Sequence, residues 1–438
     1  MIMGDQAKQS LPPFLEELKW RGLIADHTEG VDELLKEGAI SAYIGFDPTA
    51  DSLHVGSLLP IMVLVHLQRH GHRPIALVGG ATGMVGDPSG KSKERNLLDH
   101  ERLQHNIRGI RAQLERFLDF DSERPALMTN NADWLGGVGF IEFMRDVGKH
   151  FPLGYMLGKE SVKRRIEGAG ISFTEFSYML LQAYDFAHLF KAEGCQLQLG
   201  GTDQWGNVTA GIELIRRMHG GKGHGLVFPL ITSSSGEKFG KTAEGAVWLD
   251  PEKTSPYQFY QYWLNCPDAD VERYLKCFSL MAEPEILALM ERHAAEPHRR
   301  HAQRELAREV TARVHSQEAV EQVERAAQAM FGGSLSSLSA REIEEVFSEV
   351  PSTQISEVEL SAELSTVADL LVRCELCKSK GEARRLISGG GVRLNDVVVA
   401  DGRDPVELST AFEGRLIVIR KGSKRYHLVK VDRVKSHA

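Results

Sequence analysis

The chain has 438 residues and a formal net charge of −8, with 42% hydrophobic and 26% charged residues. These proportions are ordinary for a globular protein, and the length predicts roughly two to four domains with ample core. The negative charge argues against a non-specific binder of polyanions. No apolar run approaches the roughly 20 residues that a membrane-spanning helix needs. We therefore expect a multidomain protein that does not span a membrane.

The first ten residues are polar and lack the apolar core of a signal peptide, so we expect a cytoplasmic protein. Five cysteines in a chain of this length do not indicate a disulfide framework. Cys374 and Cys377 form an isolated C-x-x-C, for which two cysteines on one helix are a simpler interpretation than a metal or redox site. His66, His70 and His72 are interpreted as the basic end of a helix rather than as metal ligands.

The chain is organised around a strand-to-helix crossing near its N-terminus. Residues 39–46 are apolar and partly aromatic, as in a buried strand, and residues 58–67 are apolar enough for a buried helix. Pro60 is tolerated only in the first turn of a helix, so this helix should begin near Gly56.

Four polar residues lie at this crossing: Asp47, Thr49, His54 and Ser57. Free backbone N–H groups and the helix dipole attract phosphate there, and Gly56 lets a ring or a phosphate approach the backbone. The short motif by itself favours a capped turn with a surface histidine. A second phosphate-type motif, KFGKT at residues 238–242, reverses that preference.

Short apolar runs alternate with helical stretches along the first half of the chain. This alternation predicts an α/β fold with a parallel sheet, whose ligands gather at the carboxyl ends of its strands. The pattern predicts helices at 11–37, 91–118, 138–147 and 173–190, and strands at 74–78, 197–199 and 228–231.

The predicted helix at 173–190 carries Tyr178, Gln182 and Asp185 on one face, because they are spaced at i, i+4 and i+7. Such a polar stripe either faces water or lines a polar pocket, and the spacing does not choose between the two.

The remaining chain predicts three further regions after the α/β part at 1–250: a helical domain at 251–331, a Ser- and Glu-rich linker at 332–362, and a small domain at 363–438. In the small domain we expect helices at 367–374 and 380–388, strands at 392–394, 397–399 and 416–419, and a hairpin turn at Asn395 and Asp396. Residues 361–438 carry 15 Lys and Arg against 10 Asp and Glu, a local charge of +5 that fits contact with nucleic acid.

Residues 43–57 and 238–242 together resemble the paired HIGH and KMSKS signatures of class I aminoacyl-tRNA synthetases. The longer segments FTEFSY at 173–178 and GGTDQWGN at 200–207 make the chain similar to one family of that class, the bacterial-type tyrosyl-tRNA synthetases. The resemblance covers essentially the whole chain, and residues 363–438 resemble the small alpha-L RNA-binding domain. It implies a Rossmann-like, doubly wound catalytic domain, an α-helical domain and a small α+β domain.

The resemblance also implies a two-step reaction, in which the carboxylate of L-tyrosine attacks the α-phosphate of ATP to give tyrosyl-adenylate and pyrophosphate. A hydroxyl of the terminal ribose of tRNA(Tyr) then accepts the tyrosyl group. Neither step needs a protein nucleophile, so catalysis depends on positioning and on donors placed where charge develops. Mg²⁺ is expected to accompany ATP, with no dedicated protein site.

At the nucleotide end, the resemblance assigns His54 as a donor to the triphosphate and Thr49 as an added hydroxyl, while Asp47 holds the nucleotide amino group or orders nearby backbone. Gly56 and Ser57 belong to the same ATP-binding turn. Further roles fall on residues with suitable charge or hydroxyl groups: Lys238, Lys241, Lys91 and Arg95 for the pyrophosphate, Thr242 for the loop, Asp203 for the ribose, and Gln204 beside the adenylate and the tyrosine.

At the tyrosine end, the resemblance implies that Tyr43 and Asp185 meet the phenol hydroxyl. Asp87, Tyr178 and Gln182 offer acceptors to the ammonium group. The shell around them is expected to be completed by Thr82, Asn131 and Gln198.

Two positions depart from the signatures. Ser57 stands where the longer motif has a second histidine, so we expect phosphate binding to persist and His54 to carry more of the effect. Phe239 and Gly240 replace Met-Ser in the lysine motif, a change expected to cost little because both lysines and the final hydroxyl remain.

The expected tRNA contacts lie on the helical domain and on six basic residues of the last domain, although a solvated surface is the alternative: Arg384, Arg385, Arg393, Lys421, Lys424 and Arg425. The resemblance implies a homodimer. Two other functions stay open at this point, an RNA-binding protein on an inactive synthetase core, and another nucleotidyltransferase or the sister tryptophan enzyme. Tyr43 with Asp185 argues for a phenol, because an indole N–H needs one acceptor only.

Overall fold

The computed structural model describes residues 11–89, 99–168, 170–234, 239–242, 245–330, 335–347, 350–362, 364, 366–422 and 425–432. They divide into two compact units, one made of residues 1–254 and 262–315 and the other of residues 255–261 and 316–438. Helix α11 (Pro256–Leu264) contains the point of division.

The first unit consists of a central sheet surrounded by helices. Its strands are β1 (Asp26–His27), β2 (Ser41–Phe46), β3 (Arg73–Val78), β4 (Leu127–Asn130), β5 (Cys195–Gly201), β6 (His224–Phe228), β7 (Lys241–Thr242) and β8 (Gly245–Ala246). Its helices are α1 (Pro13–Trp20), α2 (Val31–Glu37), α3 (Leu58–Arg69), α4 (His100–Leu114), α5 (Ala132–Leu135), α6 (Phe140–Asp146), α7 (Leu153–Leu157), α8 (Glu160–Glu167), α9 (Phe173–Glu193), α10 (Trp205–His219), α12 (Asp268–Phe278), α13 (Glu283–Ala295) and α14 (His301–Val314).

The central sheet has the strand order β1-β6-β5-β2-β3-β4. From β6 to β4 the neighbouring strands are parallel, and only the edge strand β1 runs antiparallel to β6. This confirms the α/β prediction. The chain proceeds from β2 outward through β3 and β4 and then returns to β5 on the other side, so the order reverses between β2 and β5. Ligand clefts of such sheets form at this reversal.

The strand predicted at 228–231 is wrong: β6 spans His224–Phe228 instead. Its ladder with β5 ends at the pair Gly201 and Phe228. The next residue is Pro229, which has no N–H to donate and so cannot extend the ladder. The predicted helix at 11–37 is in fact α1 and α2, separated by the short strand β1.

The core beside the cleft lies between the sheet and helices α9 and α10. Tyr43 and Ile75 from the sheet pack with Phe186 of α9 and Leu214 of α10, and each of them is at most 1% exposed. Burial of this size, on the order of 2 kcal/mol per large side chain, fixes α9 against the sheet. The polar stripe of α9 is thereby fixed in position as well.

The second unit contains a smaller sheet with the order β11-β10-β12-β13-β9. Its strands are β9 (Ser352–Ser356), β10 (Val392–Leu394), β11 (Val397–Val398), β12 (Leu416–Lys421) and β13 (Arg425–Asp432), and its helices are α15 (Gln317–Met330), α16 (Ala340–Val346), α17 (Glu357–Ala362), α18 (Val367–Arg373) and α19 (Lys380–Ser388). Asn395 and Asp396 connect β10 and β11 with positive φ angles of 48° and 68°, as the predicted hairpin turn requires.

Residues 340–362 differ from the expected linker. α16 packs Ile343 and Phe347 against one face of the small sheet, and β9 pairs in parallel with β13. The abundant glutamates of this stretch suggested a solvated linker, but apolar residues recur there at helical spacing and are 0–1% exposed. Cys374 and Cys377 lie in the core on the opposite face of the sheet, and burial raises the pKa of the Cys374 thiol to about 11.

Candidate active site

A cleft of about 480 Å³ opens at the carboxyl ends of β2, β3, β5 and β6, where the strand order reverses. The structure brings most of the predicted site residues into its lining: Tyr43, Asp47, Thr49, His54, Gly56, Ser57, Thr82, Asp87, Tyr178, Gln182, Asp185, Gln198, Asp203 and Gln204. The polar stripe of α9 therefore lines a pocket rather than facing water. Lys91, Arg95, Lys238 and Lys424 lie outside the described residues, as do the side chains of Lys241 and Thr242.

One end of the cleft is deeply buried and carries Tyr43 and Asp185, each 1% exposed. Within the described part of the chain, the Tyr43 hydroxyl has no hydrogen-bond partner. Burial, reinforced by the nearby Asp185 carboxylate, raises the pKa of Tyr43 well above its ordinary value, so this phenol stays protonated. A buried hydroxyl without a protein partner favours a ligand that supplies one.

Asp185 is held by donors from the segment that follows β4. Asn131 Nδ2 donates to one carboxylate oxygen at 2.9 Å and Trp134 Nε1 donates to the other at 2.8 Å. Burial raises the pKa of Asp185 to about 7, although these two donors oppose the shift; Asp47 adds to it. Each carboxylate oxygen keeps a further lone pair for a ligand donor. Asn131 is among the expected residues of this shell, whereas the role of Trp134 is not predicted from the sequence.

A network of amides crosses the middle of the cleft. Gln204 Nε2 donates to Asp87 Oδ2 at 2.8 Å, and the Gln204 carbonyl oxygen accepts from Gln182 Nε2 at 3.2 Å. Asn207 Nδ2 donates to both glutamines, at 2.9 Å to Gln182 and 3.2 Å to Gln204. Asn207, which sequence analysis did not assign, thus fixes which atom of each glutamine is the acceptor. The motif GGTDQWGN contains it, so its position beside Gln204 was the available signal.

Asp47, which follows β2, links this strand to α9 and to the segment after β3. Its two carboxylate oxygens accept from Tyr178 Oη at 3.1 Å and from Thr82 Oγ1 at 3.0 Å. A methyl group at Gly79 would lie 2.4 Å from Asp47 Oδ1, so the close approach of this carboxylate to the backbone requires glycine. Of the two roles predicted for Asp47, these contacts favour ordering its surroundings.

At the open end, the His54 ring bends back over the turn that precedes α3. Its Nδ1 accepts from the Gly56 N–H at 3.0 Å, and a methyl group at Gly56 would lie 2.6 Å from the ring. An accepting Nδ1 leaves the proton of the neutral ring on Nε2, the tautomer that can donate to a phosphate. Ser57, the N-cap of α3, also lines the cleft.

The lysine motif meets this turn through its glycine. Gly240 has a φ of 80°, and a methyl group there would lie 2.9 Å from Val55 Cγ2 and 3.4 Å from the Gly56 nitrogen. Backbone hydrogen bonds continue the contact, from Val55 N to Val247 O at 2.9 Å and from Val247 N to Gly240 O at 3.1 Å. The two motifs, far apart in the sequence, are therefore adjacent in the fold.

The predicted RNA-binding residues of the second unit have different surroundings. Arg384 and Arg385 are exposed on α19, and Arg425 is exposed on β13. Arg393 is half-buried and donates to the Asp396 carbonyl at 3.2 Å, while the Lys421 ammonium contacts the Leu376 carbonyl. The first three are the better candidates for a ligand because their charged groups face solvent.

Among the described residues, no three or more His, Cys, Asp or Glu side chains lie close enough together to hold a metal ion. The same residues include no helix that is both long and apolar enough to cross a bilayer.

The profile of the tRNA synthetases class I (W and Y) matches residues 35–332, which contain the cleft and both motifs. The profile of the tyrosine–tRNA ligase SYY-like C-terminal domain matches residues 342–429. Together with the parallel sheet and the cleft at its reversal point, these matches identify the chain as a class I aminoacyl-tRNA synthetase.

Relatives narrow the class further. A tyrosine–tRNA ligase of Roseiflexus castenholzii is 52% identical over 95% of this chain and 99% of its own length, and one of Anaeromyxobacter dehalogenans is 53% identical over the same shares. The solved structure of a C-terminally truncated mitochondrial tyrosyl-tRNA synthetase from Aspergillus nidulans is 34% identical, with a TM-score of 0.67 over 74% of this chain and 96% of that one. The chain belongs to the tyrosyl-tRNA synthetases, and its activity is that of a tyrosine–tRNA ligase.

Proposed function

We propose that the cleft holds tyrosine and ATP end to end, with the phenol at Tyr43 and Asp185 and the triphosphate at His54 and the lysine motif. The observation that carries this proposal is the contact of Gly240 with the turn at Gly56, at one end of a cleft whose other end is the buried pair. Between the two ends, the tyrosine carboxylate and the α-phosphate would be held for in-line attack, which is worth several kcal/mol as positioning alone.

The tyrosine pocket would read the substrate through its hydroxyl. Tyr43 Oη and the Asp185 carboxylate offer a donor and an acceptor, respectively, and a phenol satisfies both at once. Phenylalanine would leave both buried groups unpaired, a penalty on the order of 1–3 kcal/mol for each. Asp87, Tyr178 and Gln182 would receive the ammonium group, with Gln204 aligned by Asn207.

The triphosphate end would act on the transition state. His54 donates through Nε2, and the positive end of the α3 dipole lies at Gly56 and Ser57, where it favours negative charge. Thr49 adds its hydroxyl, and Asp203 takes the ribose. The cations proposed for the departing pyrophosphate are Lys238, Lys241, Lys91 and Arg95, with Thr242 supporting the loop. Mg²⁺ would arrive with the phosphates of ATP and neutralise part of their charge, and we assign it no protein ligands.

The second unit would bind tRNA(Tyr) through the exposed guanidinium groups of Arg384, Arg385 and Arg425, with Arg393, Lys421 and Lys424 nearby in the sequence. We assign residues 1–250 to the catalytic domain, 251–331 to an α-helical domain on the anticodon side, and 363–438 to the RNA-binding domain. We extend the RNA-binding domain to α16, β9 and α17 of the expected linker at 332–362, because they pack on or pair with its sheet. A cytoplasmic location, where tRNA and ATP meet, fits these substrates.

A homodimer would cover an apolar surface on the first unit. Large apolar side chains stand exposed on α6, α7, α8 and the first turn of α9: Phe140 at 67%, Ile141 at 76%, Leu153 at 68%, Ile166 at 50% and Phe173 at 67%. Exposed apolar groups concentrated in one segment are typical of subunit contacts. Ile141→Asp should then shift the protein from dimer to monomer in sedimentation experiments, and an unchanged mass would contradict this assignment.

ATP–pyrophosphate exchange across amino acids tests the cleft, and tRNA charging tests the second unit. We expect tyrosine-dependent exchange whose rate His54→Ala and Lys241→Ala lower by about 10²–10³-fold while tyrosine still binds. The double change of Arg384 and Arg385 to Ala should reduce tRNA charging and leave ATP–pyrophosphate exchange intact. The proposed contacts of these arginines are with the tRNA backbone, and adenylate formation does not involve tRNA. Equal loss in both assays would argue against a tRNA role for these arginines.

A further inference from the structure

Helix α12 (Asp268–Phe278) receives the chain on both sides of the segment that carries Lys238. Residues 232–234 precede this segment and Phe239 follows it, and both contact the same face of α12. Asp270, Tyr274 and Phe278 form this face, because they are spaced at i, i+4 and i+8.

The first contact is polar and centres on Asp270, which is only 2% exposed. Its carboxylate accepts from the Ser234 backbone N–H at 3.0 Å, from Ser234 Oγ at 2.8 Å and from Ser233 Oγ at 3.4 Å. Arg273, one turn further on, donates to the Thr232 carbonyl and forms an ion pair with Asp270 at 3.2 Å. A buried carboxylate with this many donors holds its partners firmly, because losing them would leave a charge unpaired.

The second contact is aromatic. The Phe239 ring stacks on Phe278 with a centroid distance of 5.4 Å and an interplanar angle of 5°, and it lies 5.2 Å from Tyr274. Trp263 completes the cluster at 6.1 Å. The next residue, Gly240, donates its N–H to Tyr262 Oη at 3.1 Å. Phe239 is thus an anchor of this part of the chain on α12.

Helix α12 is itself held in place at its C-terminal end. Arg21, 2% exposed, donates to the carbonyls of Lys276 at 2.8 Å, Ser279 at 2.9 Å and Met281 at 2.7 Å. A guanidinium satisfies these carbonyls and suits the negative end of the helix dipole. The helix therefore offers the lysine motif a fixed base.

We propose that Asp270 and Phe239 are positioning residues for tyrosyl-adenylate formation, anchoring the two sides of the Lys238 segment to α12. The proposal rests on the proposed role of the motif's lysines at the pyrophosphate. Long, flexible ammonium groups stabilise a transition state only if their backbone is held in register, since a shift of about 1 Å can cost about 10²-fold in rate. Anchoring both flanks to one helix supplies that register.

The test measures the rate of adenylate formation by stopped-flow fluorescence in the full-length protein, with tyrosine affinity measured separately. Asp270→Asn and Phe239→Ala should each reduce the rate about 10–100-fold, with tyrosine affinity unchanged. Phe239→Leu should restore part of the loss, and Ser234→Ala, which removes a single hydroxyl donor, should cost less than Asp270→Asn. Glu272→Gln is the matched control, because this acid lies on the same helix, is paired with Lys276 and has a side chain 45% exposed; its rate should match wild type.

The decisive comparison repeats Asp270→Asn and Phe239→Ala in a background that carries both Lys238→Ala and Lys241→Ala. If the anchors act through the lysines of the motif, their effects should shrink to about twofold there, because coupled residues are not additive. Full, additive effects in that background would mean general structural damage and would overturn the proposal. If the two lysine changes lower the rate but the anchor variants leave it unchanged, this inference alone is overturned. If the double lysine variant has a normal rate, the lysine role is overturned together with it. Ser234→Ala and Phe239→Leu serve as the readout if the stronger variants fail to fold.

Discussion

At the end of the cleft proposed to hold the phenol, Tyr43 and Asp185 are each 1% exposed, whereas Thr49, His54 and Asp203, at the end proposed to hold the triphosphate, are exposed to solvent. The buried end is organised by side chain–side chain hydrogen bonds from Asn131 and Trp134. The open end is organised by the backbone, through the His54–Gly56 bond and the contact of Gly240 with Val55.

This difference in burial fits the roles that we propose for the two ends. Selecting a substrate by one hydroxyl requires buried groups, because an unpaired donor or acceptor is costly only where water is excluded. The β- and γ-phosphates of ATP must depart as pyrophosphate. Their binding therefore requires charged protein groups that remain accessible to water. Substitutions at the open end should therefore affect rate, and substitutions at the buried end should affect affinity and selectivity.

The largest effect is expected at the open end, from His54→Ala. Loss of a transition-state donor should lower the rate of adenylate formation about 10²–10³-fold while tyrosine affinity stays the same. Ser57→Ala should cost at most about tenfold, because its hydroxyl is short and never charged. Stopped-flow rates of both variants measure the ranking, and a more damaging Ser57→Ala would reverse it.

At the buried end, Asp185→Asn should weaken tyrosine binding about 10–100-fold, because the phenol loses a charged acceptor. The maximal rate at saturating tyrosine should fall much less. Equilibrium dialysis with tyrosine and phenylalanine measures the affinity ratio, which should narrow. A pure rate defect at unchanged affinity would remove the contrast between the two ends.

Tyr43→Phe sharpens the contrast with a smaller change. Tyrosine affinity should fall about fivefold, the equivalent of one neutral hydrogen bond, and discrimination against phenylalanine should decrease. The unliganded variant should melt at a higher temperature than wild type, because a buried hydroxyl without a protein partner in the described structure is removed. A lower melting temperature would show that this hydroxyl is already stabilised.

The smallest effect concerns pH. The pKa of Asp185 is raised from 3.8 to about 7 in the folded protein, so between these values the folded state binds more protons than the unfolded state. Stability therefore decreases as the pH rises through this window and becomes constant above about pH 7. The melting temperature of Asp185→Asn should exceed that of wild type by a margin that grows from pH 5.5 to pH 7. A margin independent of pH would mean that Asp185 titrates near its ordinary pKa.

The sequence predicts the face of α9 that lines the cleft, but not the residues that hold the lining side chains in place. The spacing of Tyr178, Gln182 and Asp185 identifies their shared face, since helical periodicity is a local property. The roles of Trp134 and Asn207 cannot be predicted from local sequence, because they depend on contacts between residues that are distant along the chain. The strand at 228–231 was misplaced because apolar character alone does not mark where hydrogen bonding stops, although Pro229 does.

In the second unit, a whole segment differs from its prediction because its contacts form only in the folded structure. Glutamates in residues 340–349 suggested a solvated linker, yet Ile343 and Phe347 lie under the small sheet. Composition averages over both faces of a helix, so it loses the periodic signal that marks the buried one. The hairpin at Asn395 and Asp396 was predictable because its turn depends on two adjacent residues.

The buried hydroxyl of Tyr43 slightly lowers the stability of the unliganded enzyme. The hydroxyl is buried and has no hydrogen-bond partner within the described chain, so the unliganded state lacks one hydrogen bond there. In the proposed pocket, a phenolic substrate would supply the missing hydrogen bond, whereas the benzyl group of phenylalanine would leave the hydroxyl unpaired. Selectivity for tyrosine over phenylalanine would then be built into the unliganded protein, before any adenylate forms.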